Sequence, residues 1–372
     1  AIVGGGYTGL WAALALRRRD RSLRVRVLEA GRCGQGPSGR NGGFLETYWT
    51  ALPLLVDRLG AEAALALARV SEGAIEAVRA LGEDVWLRQA GMLLVSAAAG
   101  QDAAVERAVR VARELGVPEE ATPLSAAELA QRVCSPVFRR GVFFPKVATV
   151  QPARLVRALR RAALAAGVEI HEQTRVRAIH SGFLVASRAR VRASEIIVAT
   201  NAWAAGWRPL ARLLTPFGST IVLTEPIPDR LAEIGWTGGE AVVDGRMFLR
   251  YFRATEDGRV LMGSGSGPIG FGGRVTGRLA HDRASARRAE AGLRALLPAL
   301  VDARIERAWG GPIDVSADHL PLVGTLPGTR IRYAVGFSGN GVGPSWVAGQ
   351  ALASLALGAD DEWLRLPLVD RR

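Results

Sequence analysis

The hydrophobic pattern at the start of the chain changes its period twice within thirty residues. Ile2 and Val3 form a short apolar run that is typical of a buried strand. Apolar residues then recur at helical spacing over residues 7–19, and a second apolar run follows at residues 25–28. The pattern therefore predicts a strand, a turn, a helix and a second strand.

The rest of the chain alternates between helical and strand-like segments. Helical periodicity predicts two helices within residues 51–81, further helices over 101–115, 126–133, 152–166 and 281–297, and a last helix that ends near residue 357. Short apolar runs predict strands at 91–96, 168–170, 194–198, 304–309 and 331–335, and short antiparallel strands within 174–192. From about residue 217, period-two alternation predicts an antiparallel sheet with strands at 219–223, 240–243, 247–253 and 259–262.

Three glycines of the first turn, Gly4, Gly6 and Gly9, fit a G-x-G-x-x-G pattern. In a strand–turn–helix unit the first glycine permits the tight turn, the second lets a pyrophosphate approach the backbone, and the third lets helix and strand pack closely. The helix N-terminus then offers its amide groups to the phosphates. Glu29 ends the second strand, where a carboxylate accepts hydrogen bonds from a ribose 2′-OH and repels a 2′-phosphate. The pattern indicates an ADP-containing ligand other than NADP, and leaves FAD and NAD open.

The charge of the chain does not indicate a nucleic-acid partner. The formal net charge is +13, yet the basic residues are scattered and are almost all arginine, with Lys146 as the only lysine. No arginine cluster is interleaved with aromatic residues in the manner of a nucleic-acid surface. We therefore expect no nucleic-acid partner, while the charge still favours acidic substrates or partners.

The spacing of the cysteines and histidines argues against a disulfide reductase and against a metal-dependent enzyme. Cys33 and Cys134 form no C-x-x-C motif, which disulfide reductases require. The second glycine string, residues 263–267, is followed by Pro268 and not by a helix, so it predicts no second dinucleotide site. The four histidines have no metal-ligand spacing, and we expect no metal site.

The hydropathy of the chain predicts no membrane span, because no run of about 18 uncharged apolar residues occurs. We expect a cytoplasmic location. The sequence begins without methionine. We therefore expect that residues precede Ala1, and a signal peptide stays possible.

The glycine-rich loop at residues 30–43 points to a known family. Its order, Glu-Ala-Gly after the second strand and then Ser-Gly-Arg-Asn-Gly-Gly at 38–43, resembles the FAD-dependent D-amino-acid oxidase superfamily. The branch that contains glycine oxidase, sarcosine oxidase and gamma-glutamylputrescine oxidase fits best. The 38–43 string and Thr-Glu-Pro-Ile-Pro at 224–228 most resemble the gamma-glutamylputrescine oxidase-like members.

This resemblance implies a mixed fold and a bound flavin. The expected fold is α/β (α+β overall): a Rossmann-type FAD-binding domain with an interleaved antiparallel-sheet substrate domain. We expect a discontinuous FAD-binding domain from residues 1–82, 146–215 and 304–372, and a substrate domain from 83–145 and 216–303. FAD is expected to bind noncovalently, because the 310–324 segment holds no counterpart of the flavin-linked cysteine of some sarcosine oxidases.

The predicted cofactor-binding residues lie in the first turn, the glycine-rich loop and three later segments. The last of these is a second strand–glycine turn–helix unit, whose helix start can stabilise negative charge near the flavin. The residues are Gly4, Gly6, Tyr7, Thr8, Gly9, Glu29, Ala30, Arg32, Ser38, Arg40, Asn41, Gly42, Gly43, Val176, Thr200, Gly311, Gly339, Asn340, Gly341 and Val342.

The predicted catalytic residues are Tyr251, Arg253, His319 and Asn340. Tyr251 and Arg253 share one face of a predicted strand, and an arginine there could pair with a substrate carboxylate. A solvated arginine on an edge strand is the alternative. Tyr48, Trp49 and Trp309 are weaker candidates, because aromatic residues are more often part of a core.

The expected reaction is the oxidation of an amine or amino acid. A C–H bond next to nitrogen gives hydride to FAD, the imine hydrolyses, and O₂ reoxidises the flavin to give H₂O₂. The resemblance also implies a lysine near the flavin for O₂ activation, which the sequence does not identify. Two alternatives stay open: a dehydrogenase that passes electrons to a quinone or another acceptor, and a noncatalytic FAD-binding subunit of a complex.

Overall fold

A computed structural model describes residues 1–371. The α-helices assigned within this range are α1 Tyr7–Arg19, α2 Leu52–Leu59, α3 Ala61–Ser71, α4 Gly73–Arg79, α5 Asp102–Glu114, α6 Ala126–Ala130, α7 Pro152–Ala165, α8 Pro228–Glu233, α9 Arg283–Leu296 and α10 Pro344–Leu357. Residues 51–81 thus hold three helices and not the predicted two. Gly60 has a φ of +83° and lies between α2 and α3, so it ends the first of them.

The strands fall into four sheets. In chain order they are β1 Ile2–Val3, β2 Arg26–Leu28, β3 Phe44–Glu46, β4 Met92–Ser96, β5 Thr122–Ser125, β6 Arg140–Phe144, β7 Val147–Thr149, β8 Glu169–His171, β9 Val176–His180, β10 Phe183–Ala186, β11 Arg190–Arg192, β12 Ile196–Val198, β13 Thr215–Thr224, β14 Ala241–Asp244, β15 Arg250–Ala254, β16 Val260–Ser264, β17 Ile305–Val315, β18 Leu322–Thr325 and β19 Ile331–Val335.

A six-stranded sheet carries the first turn of the chain. Its strand order is β18-β19-β12-β1-β2-β8, and all neighbours are parallel except β18 and β19. Ile2 in β1 is paired on one side with Val27 and on the other with Ile197. The continuous apolar runs of β1 and β12 are explained by the burial of every residue in them.

Helices α1 and α10 pack against each other beside this sheet. A Cβ atom at Gly349 of α10 would lie 2.7 Å from the Cβ atom of Trp11 in α1. Trp11 and Leu10 are fully buried, and they belong to the same core cluster as Leu352 of α10. The glycine therefore lets the first and last helices of the chain approach closely.

An eight-stranded sheet forms the second large layer, in the order β17-β13-β16-β15-β14-β4-β6-β5. Its neighbours are antiparallel except β14 and β4. Helix α9 packs on one face of it through Leu293 and Ala289, which lie in one cluster with Phe252 and Met262. Strands β3 and β7 form a separate pair, and β9, β10 and β11 form a small antiparallel sheet.

The mixed α/β architecture that the sequence predicts is confirmed, with two differences along the large sheet. Strand β15 begins at Arg250 and not at Met247, which is 93% exposed. Strand β17 continues through Val315, where the sequence pattern ends a strand at residue 309. The predicted domain boundaries stay a prediction; β17, assigned there to the FAD-binding domain, pairs with β13 of the large sheet.

Candidate cofactor and substrate site

The turn between β1 and α1 is packed through its backbone. Gly4 has a φ of +111°, and a Cβ atom there would lie 2.3 Å from the carbonyl oxygen of Ala199. A Cβ atom at Gly9 would lie 2.0 Å from the carbonyl oxygen of Gly4. Neither position has room for a side chain, so these two glycines bring the helix, β1 and the turn after β12 into contact.

The first turn of α1 faces the glycine-rich loop. Gly6 is the N-cap residue and provides no side-chain cap, while the N–H group of Tyr7 donates to Ser38 Oγ at 3.0 Å. Thr8 and Gly9 complete this first turn. Because the amides at a helix start carry a partial positive charge, the turn has the geometry and the polarity to hold a phosphate group.

Glu29 lies at the end of β2, close to the first turn. Its Oε2 accepts a hydrogen bond from the Gly5 N–H and its Oε1 one from the Gly31 N–H, both at 2.8 Å. Its neighbours Ala30 and Arg32 are exposed. The carboxylate therefore lies at the carboxyl ends of β1 and β2, where the ribose of a dinucleotide binds in such sheets.

The side chain of Asn41 shapes the loop that follows. Its Nδ2 donates to the carbonyl oxygens of Pro37 and Ser38, each at 3.0 Å, and its Oδ1 accepts from the Gly43 N–H at 2.8 Å. Asn41 thereby holds both ends of this loop segment. Its amide stabilises the backbone of the loop that offers Ser38 to the first turn.

Gly42 and Gly43 are enclosed by two side chains from β15. A Cβ atom at Gly42 would lie 2.9 Å from the ring of Tyr251, and one at Gly43 would lie 2.8 Å from Arg253 Nη2. Gly43 also has a φ of +78°. The face that Tyr251 and Arg253 share, as their spacing predicts, is thus packed against the glycine-rich loop.

Arg253 is neither a solvated surface residue nor a free guanidinium. The residue is 4% exposed, and it donates from Nε to Gly42 O at 2.6 Å and from Nη2 to Val150 O at 3.0 Å. Nη1 donates to Ala254 O at 3.2 Å. Burial lowers the pKa of the guanidinium to about 10. Each nitrogen is already engaged with a carbonyl group, so this geometry does not favour the predicted contact with a substrate carboxylate. It favours a role in holding the loop.

Tyr251 joins the large sheet to the loop. Its hydroxyl lies 2.8 Å from Ser219 Oγ on β13, and its ring meets the edge of Phe44 at a centroid distance of 5.6 Å. Burial raises the pKa of Tyr251 to about 12. The phenol therefore stays protonated at neutral pH and can donate or accept a hydrogen bond.

The second glycine turn lies between β19 and α10. Gly339 has a φ of +92° and Ser338 one of +53°, and both precede the start of α10 at Pro344. Asn340 Oδ1 is buried and has no hydrogen-bond partner within residues 1–371. Gly341 is partly exposed, and Val342 is buried. A buried acceptor without a donor is costly, so Asn340 marks a place where a ligand donor fits.

Asp314 holds this turn in place, and it is a residue that the sequence pattern does not identify. Its Oδ2 accepts from the Gly336 N–H and its Oδ1 from Asn201 Nδ2, both at 2.6 Å. Its backbone carbonyl accepts from the Ser338 N–H at 2.9 Å. Burial raises the pKa of Asp314 to about 7, while the hydrogen bonds act in the opposite direction. One carboxyl group thus joins the turn after β12 to the turn after β19.

The remaining predicted residues lie at the edges of this arrangement. Arg40 Nε donates to Gln35 O at 2.9 Å, and Trp309 Nε1 donates to Arg40 O at 2.8 Å. Gly311 lies beside the Arg40 side chain. Thr200 precedes Asn201 at the end of β12, and Val176 begins β9 in the small antiparallel sheet.

His319 is separated from these groups. It is exposed, has a φ of +63°, and its N–H donates to Ser316 O. Asp318 beside it is ion-paired with Arg371. The structure therefore gives no contact between His319 and Tyr251, Arg253 or Asn340.

Lys146 is held by two glutamates beside Trp49. Its Nζ lies 2.8 Å from Glu72 Oε1 and 2.5 Å from Glu120 Oε1, and 5.1 Å from the centroid of the Trp49 ring. Trp49 Nε1 also donates to Glu72. Tyr48 is buried next to this group, and its hydroxyl has no partner within residues 1–371. The only lysine is thus fully engaged, and Trp49 has a structural role here.

Residues 1–371 contain no group of three or more acidic, histidine or cysteine side chains that could hold a metal ion. Within the same range, no helix is long and apolar enough to cross a membrane.

The site as a whole fits FAD. Two helix starts, α1 and α10, lie at the two ends of the glycine-rich loop, and Glu29 lies beyond the first of them. Gly311 and Gly339 have no side chain to limit access, and Asn340 Oδ1 lacks a donor. A dinucleotide with its ribose at Glu29 and its phosphates at α1 would continue along the loop towards the second turn.

Comparison with known proteins agrees with this fit. The family model for FAD dependent oxidoreductases, DAO, matches residues 1–355. A probable oxidoreductase, OrdL, of Rhizobium meliloti is 30% identical over 97% of this chain and 83% of its own length. The gamma-glutamylputrescine oxidoreductase of Escherichia coli is 29% identical over 96% of this chain and 83% of its own length. The crystal structure of glycine oxidase from Geobacillus kaustophilus has the same fold, with a TM-score of 0.80, 22% identity and coverage of 100% of this chain and 98% of that one.

Proposed function

Since the chain belongs to the DAO family of FAD-dependent oxidoreductases, we propose that it oxidises the C–N bond of an amine or amino acid and passes the electrons to O₂. The family membership makes the chain an oxidoreductase with FAD as its cofactor. The substrate class, the imine product and the release of H₂O₂ are the finer parts of the proposal. The Escherichia coli relative is named for an amine, gamma-glutamylputrescine, and this name supports an amine as the substrate class.

The observation that carries the proposal is the pair of helix starts joined by the glycine-rich loop. The residues that would hold FAD are Gly6 and Tyr7 at α1, Glu29 at β2, and Gly339 to Val342 before α10. Bound there, FAD supplies the acceptor for a hydride from the C–H bond next to the substrate nitrogen, and O₂ then takes up the electrons to give H₂O₂.

The protein's own contribution is to position the substrate and to exclude water. Tyr251 and Ser219 form a hydrogen-bonded pair on the large sheet, and Phe44 packs on the Tyr251 ring. The two aromatic rings offer an apolar surface, and the hydroxyl pair offers one hydrogen-bonding group. Together they can orient a small substrate, and the reaction then needs no strong general base. The substrate amine must be neutral when it loses hydride, because its lone pair stabilises the positive charge that develops on carbon. Water then hydrolyses the released imine to a carbonyl compound and ammonia, or an amine where the substrate nitrogen carries a second carbon group.

A dehydrogenase that passes electrons to a quinone or another acceptor is the second candidate. The observation in its favour is Lys146, which is the only lysine of the chain and is paired with Glu72 and Glu120. The charge of this lysine is already compensated by two carboxylates, which favours an acceptor other than O₂. A noncatalytic FAD-binding subunit is the remaining alternative.

Anaerobic reduction of the flavin tests the proposal. The purified, FAD-loaded protein is mixed without O₂ with a panel of alkylamines, N-methyl amino acids and D-amino acids. The loss of flavin absorbance near 450 nm is then measured for each compound. We expect at least one compound to bleach the flavin, and O₂ to restore the absorbance with one H₂O₂ per turnover. Bleaching that only a quinone or dye reverses would favour the dehydrogenase. A yellow protein that no compound bleaches would favour the noncatalytic subunit.

A further inference from the structure

Strand β3 presents its side chains to two different parts of the molecule. Phe44 and Glu46 lie on one face and Leu45 on the other, because successive side chains of a strand alternate. Phe44 contacts the ring of Tyr251, and Leu45 belongs to the core cluster around α1 and α10. Glu46 therefore faces the same side as the Phe44 and Tyr251 pair.

The backbone of Glu46 touches the second glycine turn. A Cβ atom at Gly343, the N-cap of α10, would lie 2.0 Å from the carbonyl oxygen of Glu46. Since β3 directly follows Gly43, this residue lies between the glycine-rich loop and the start of α10. Both are segments that would hold FAD.

The carboxyl group of Glu46 is only half satisfied. Its Oε2 accepts a hydrogen bond from Thr50 Oγ1 at 2.9 Å, whereas its Oε1 has no hydrogen-bond partner within residues 1–371. Glu46 keeps some exposed surface, although Phe44, Leu45 and Thr47 around it are buried. A partly exposed acceptor without a partner, beside a predicted cofactor site, is placed to bind a ligand donor.

The basic side chains of the glycine-rich loop, of β15 and of the segment before β7 are engaged with groups other than Glu46. Arg253 donates to the carbonyl groups of Gly42, Val150 and Ala254, and Arg40 to those of Gln35 and Gly310. Lys146, next to β7, is paired with Glu72 and Glu120. The first turn of α10 contains neither an acidic nor a basic residue. Glu46 thus has a free carboxyl oxygen and forms no ion pair with any of these basic groups.

We propose that Glu46 binds an ammonium group of the substrate, and that the substrate is an alkylamine with a second cationic group and no need of a bound carboxylate. This inference rests on the proposed function. The amine that is oxidised must be neutral, so the ammonium held by Glu46 is the other one. A charge-assisted hydrogen bond to Oε1 would fix the length of substrate that reaches the flavin.

The ionisation of Glu46 gives the interaction a pH dependence. Burial raises the pKa of Glu46 to about 7, and the hydrogen bond from Thr50 acts in the opposite direction. Below this pH the carboxyl is neutral and binds an ammonium group weakly. Affinity for a dication is therefore expected to rise as the pH increases from 6 to 8.5.

The test compares 1,4-diaminobutane with butylamine, which has the same chain and lacks the second amine. In the FAD-loaded wild-type protein, the rate constant for anaerobic flavin reduction divided by the apparent dissociation constant should favour the diamine at pH 8.5. In Glu46→Gln this preference should fall at least tenfold, with little change for butylamine, and the difference between the two proteins should shrink at pH 6. Glu46→Asp should restore part of the preference.

A binding measurement without turnover separates this role from a structural one. Methylammonium, which has N–H donors and too short a chain to be a diamine, should perturb the visible flavin spectrum of the wild-type protein more strongly than acetate does, and Glu46→Gln should lose the difference. Glu240→Gln is the matched control, since Glu240 is a buried glutamate just before β14 that is paired with Arg132. It should keep the preference for the diamine.

The outcomes distinguish this inference from the proposed function. If glycine or sarcosine reduces the flavin and no diamine does, or if Glu46→Gln keeps the diamine preference, the inference is wrong and the proposed function stands. If no amine or amino acid reduces the flavin, the proposed function itself fails. Should Glu46→Gln not fold, Glu46→Asp and the ammonium titration of the wild-type protein decide the question.

Discussion

The two glycine turns of the site resemble each other in form and differ in how they are held. Both precede a helix that starts without a side-chain cap from its own N-cap glycine, Gly6 for α1 and Gly343 for α10. The first turn is fixed by backbone packing of Gly4 and Gly9 within one strand–turn–helix unit and against Ala199. The second is fixed by the side chain of Asp314, which comes from another strand.

This difference shows which of the two turns is determined by the residues of its own motif and which depends on a residue elsewhere in the chain. A turn that packs through its own glycines is encoded locally, and its spacing alone indicates the fold. A turn that depends on a distant carboxyl group has no such spacing. The same result, a helix start whose N-cap glycine provides no side-chain cap, is reached by two routes with different sensitivity to mutation.

The largest effect is expected from Gly9→Ala in the first turn. The new Cβ atom would lie 2.0 Å from the carbonyl oxygen of Gly4, so helix and strand must separate. We expect a loss of about 3 kcal/mol in the free energy of unfolding and a strong loss of bound FAD, measured by urea denaturation and flavin absorbance. Gly277→Ala is the control, because a Cβ atom there meets nothing within 4 Å. Equal stability of the two variants would contradict the backbone account of the first turn.

Asp314→Ala tests the second turn. It leaves the Gly336 N–H and Asn201 Nδ2 without their acceptor in a buried place, which costs about 2 kcal/mol. FAD affinity should also fall, as measured by fluorescence of the released flavin. Asp244→Ala is matched to it, since Asp244 is buried and accepts from the N–H groups of Arg246 and Arg250. It should lose comparable stability and keep its FAD affinity. A loss of affinity in both variants would remove the special role of Asp314.

The raised pKa of Glu46, whose carbonyl packs against Gly343, should make the stability of the cofactor-free protein depend on pH. Its pKa is raised from the usual 4.5 to about 7, so folding favours the protonated form. This contribution is complete below pH 4.5 and is lost as the pH rises through 7. The difference in unfolding free energy between the wild type and Glu46→Gln should therefore decline by about 2 kcal/mol from pH 4.5 to 8. Denaturation at each pH measures it. A constant difference would show that Glu46 ionises normally.

Ser38→Ala should have the smallest effect. It removes the acceptor of the Tyr7 N–H at the start of α1 and is expected to cost about 1 kcal/mol. The control is Ser22→Ala, because the Ser22 hydroxyl is exposed and bonds only to Asp20 in its own turn. Thermal unfolding of both variants checks this. A larger effect than that of Gly9→Ala would mean that the loop, and not the glycine packing, fixes the first turn.

The fold was predictable from the sequence wherever local patterns suffice. The Gly4–Gly9 spacing, Glu29 and the helical period of α1 and α7 depend on residues near in sequence, and the structure confirms the mixed α/β fold. The start of β15 could not be predicted, because residues 247–249 are apolar yet exposed and hydrophobicity alone places them in a strand. The third helix within residues 51–81 was missed for the opposite reason, since alanine and leucine continue on both sides of Gly60.

The candidate site was predictable only in part. Glycine spacing indicates where a cofactor binds, but it says nothing about which partner a buried charge has. Arg253 and Tyr251 were placed on one face, yet the carbonyl partners of Arg253 come from segments about 100 and 200 residues away in sequence. Asp314 and Glu46 have no motif around them, and their importance appears only when distant turns are brought together.

The contact between Trp11 and Gly349 has a consequence for the order of events during synthesis. Helix α1 leaves the ribosome long before its partner α10, and β1 needs β12 from the middle of the chain. Until translation has passed residue 357, the part of α1 around Trp11 lacks the helix that covers it, even when α7 has already packed on another part of α1. The nascent chain therefore carries exposed hydrophobic surface for most of its synthesis, a state that invites chaperone binding and slow, late completion of the fold.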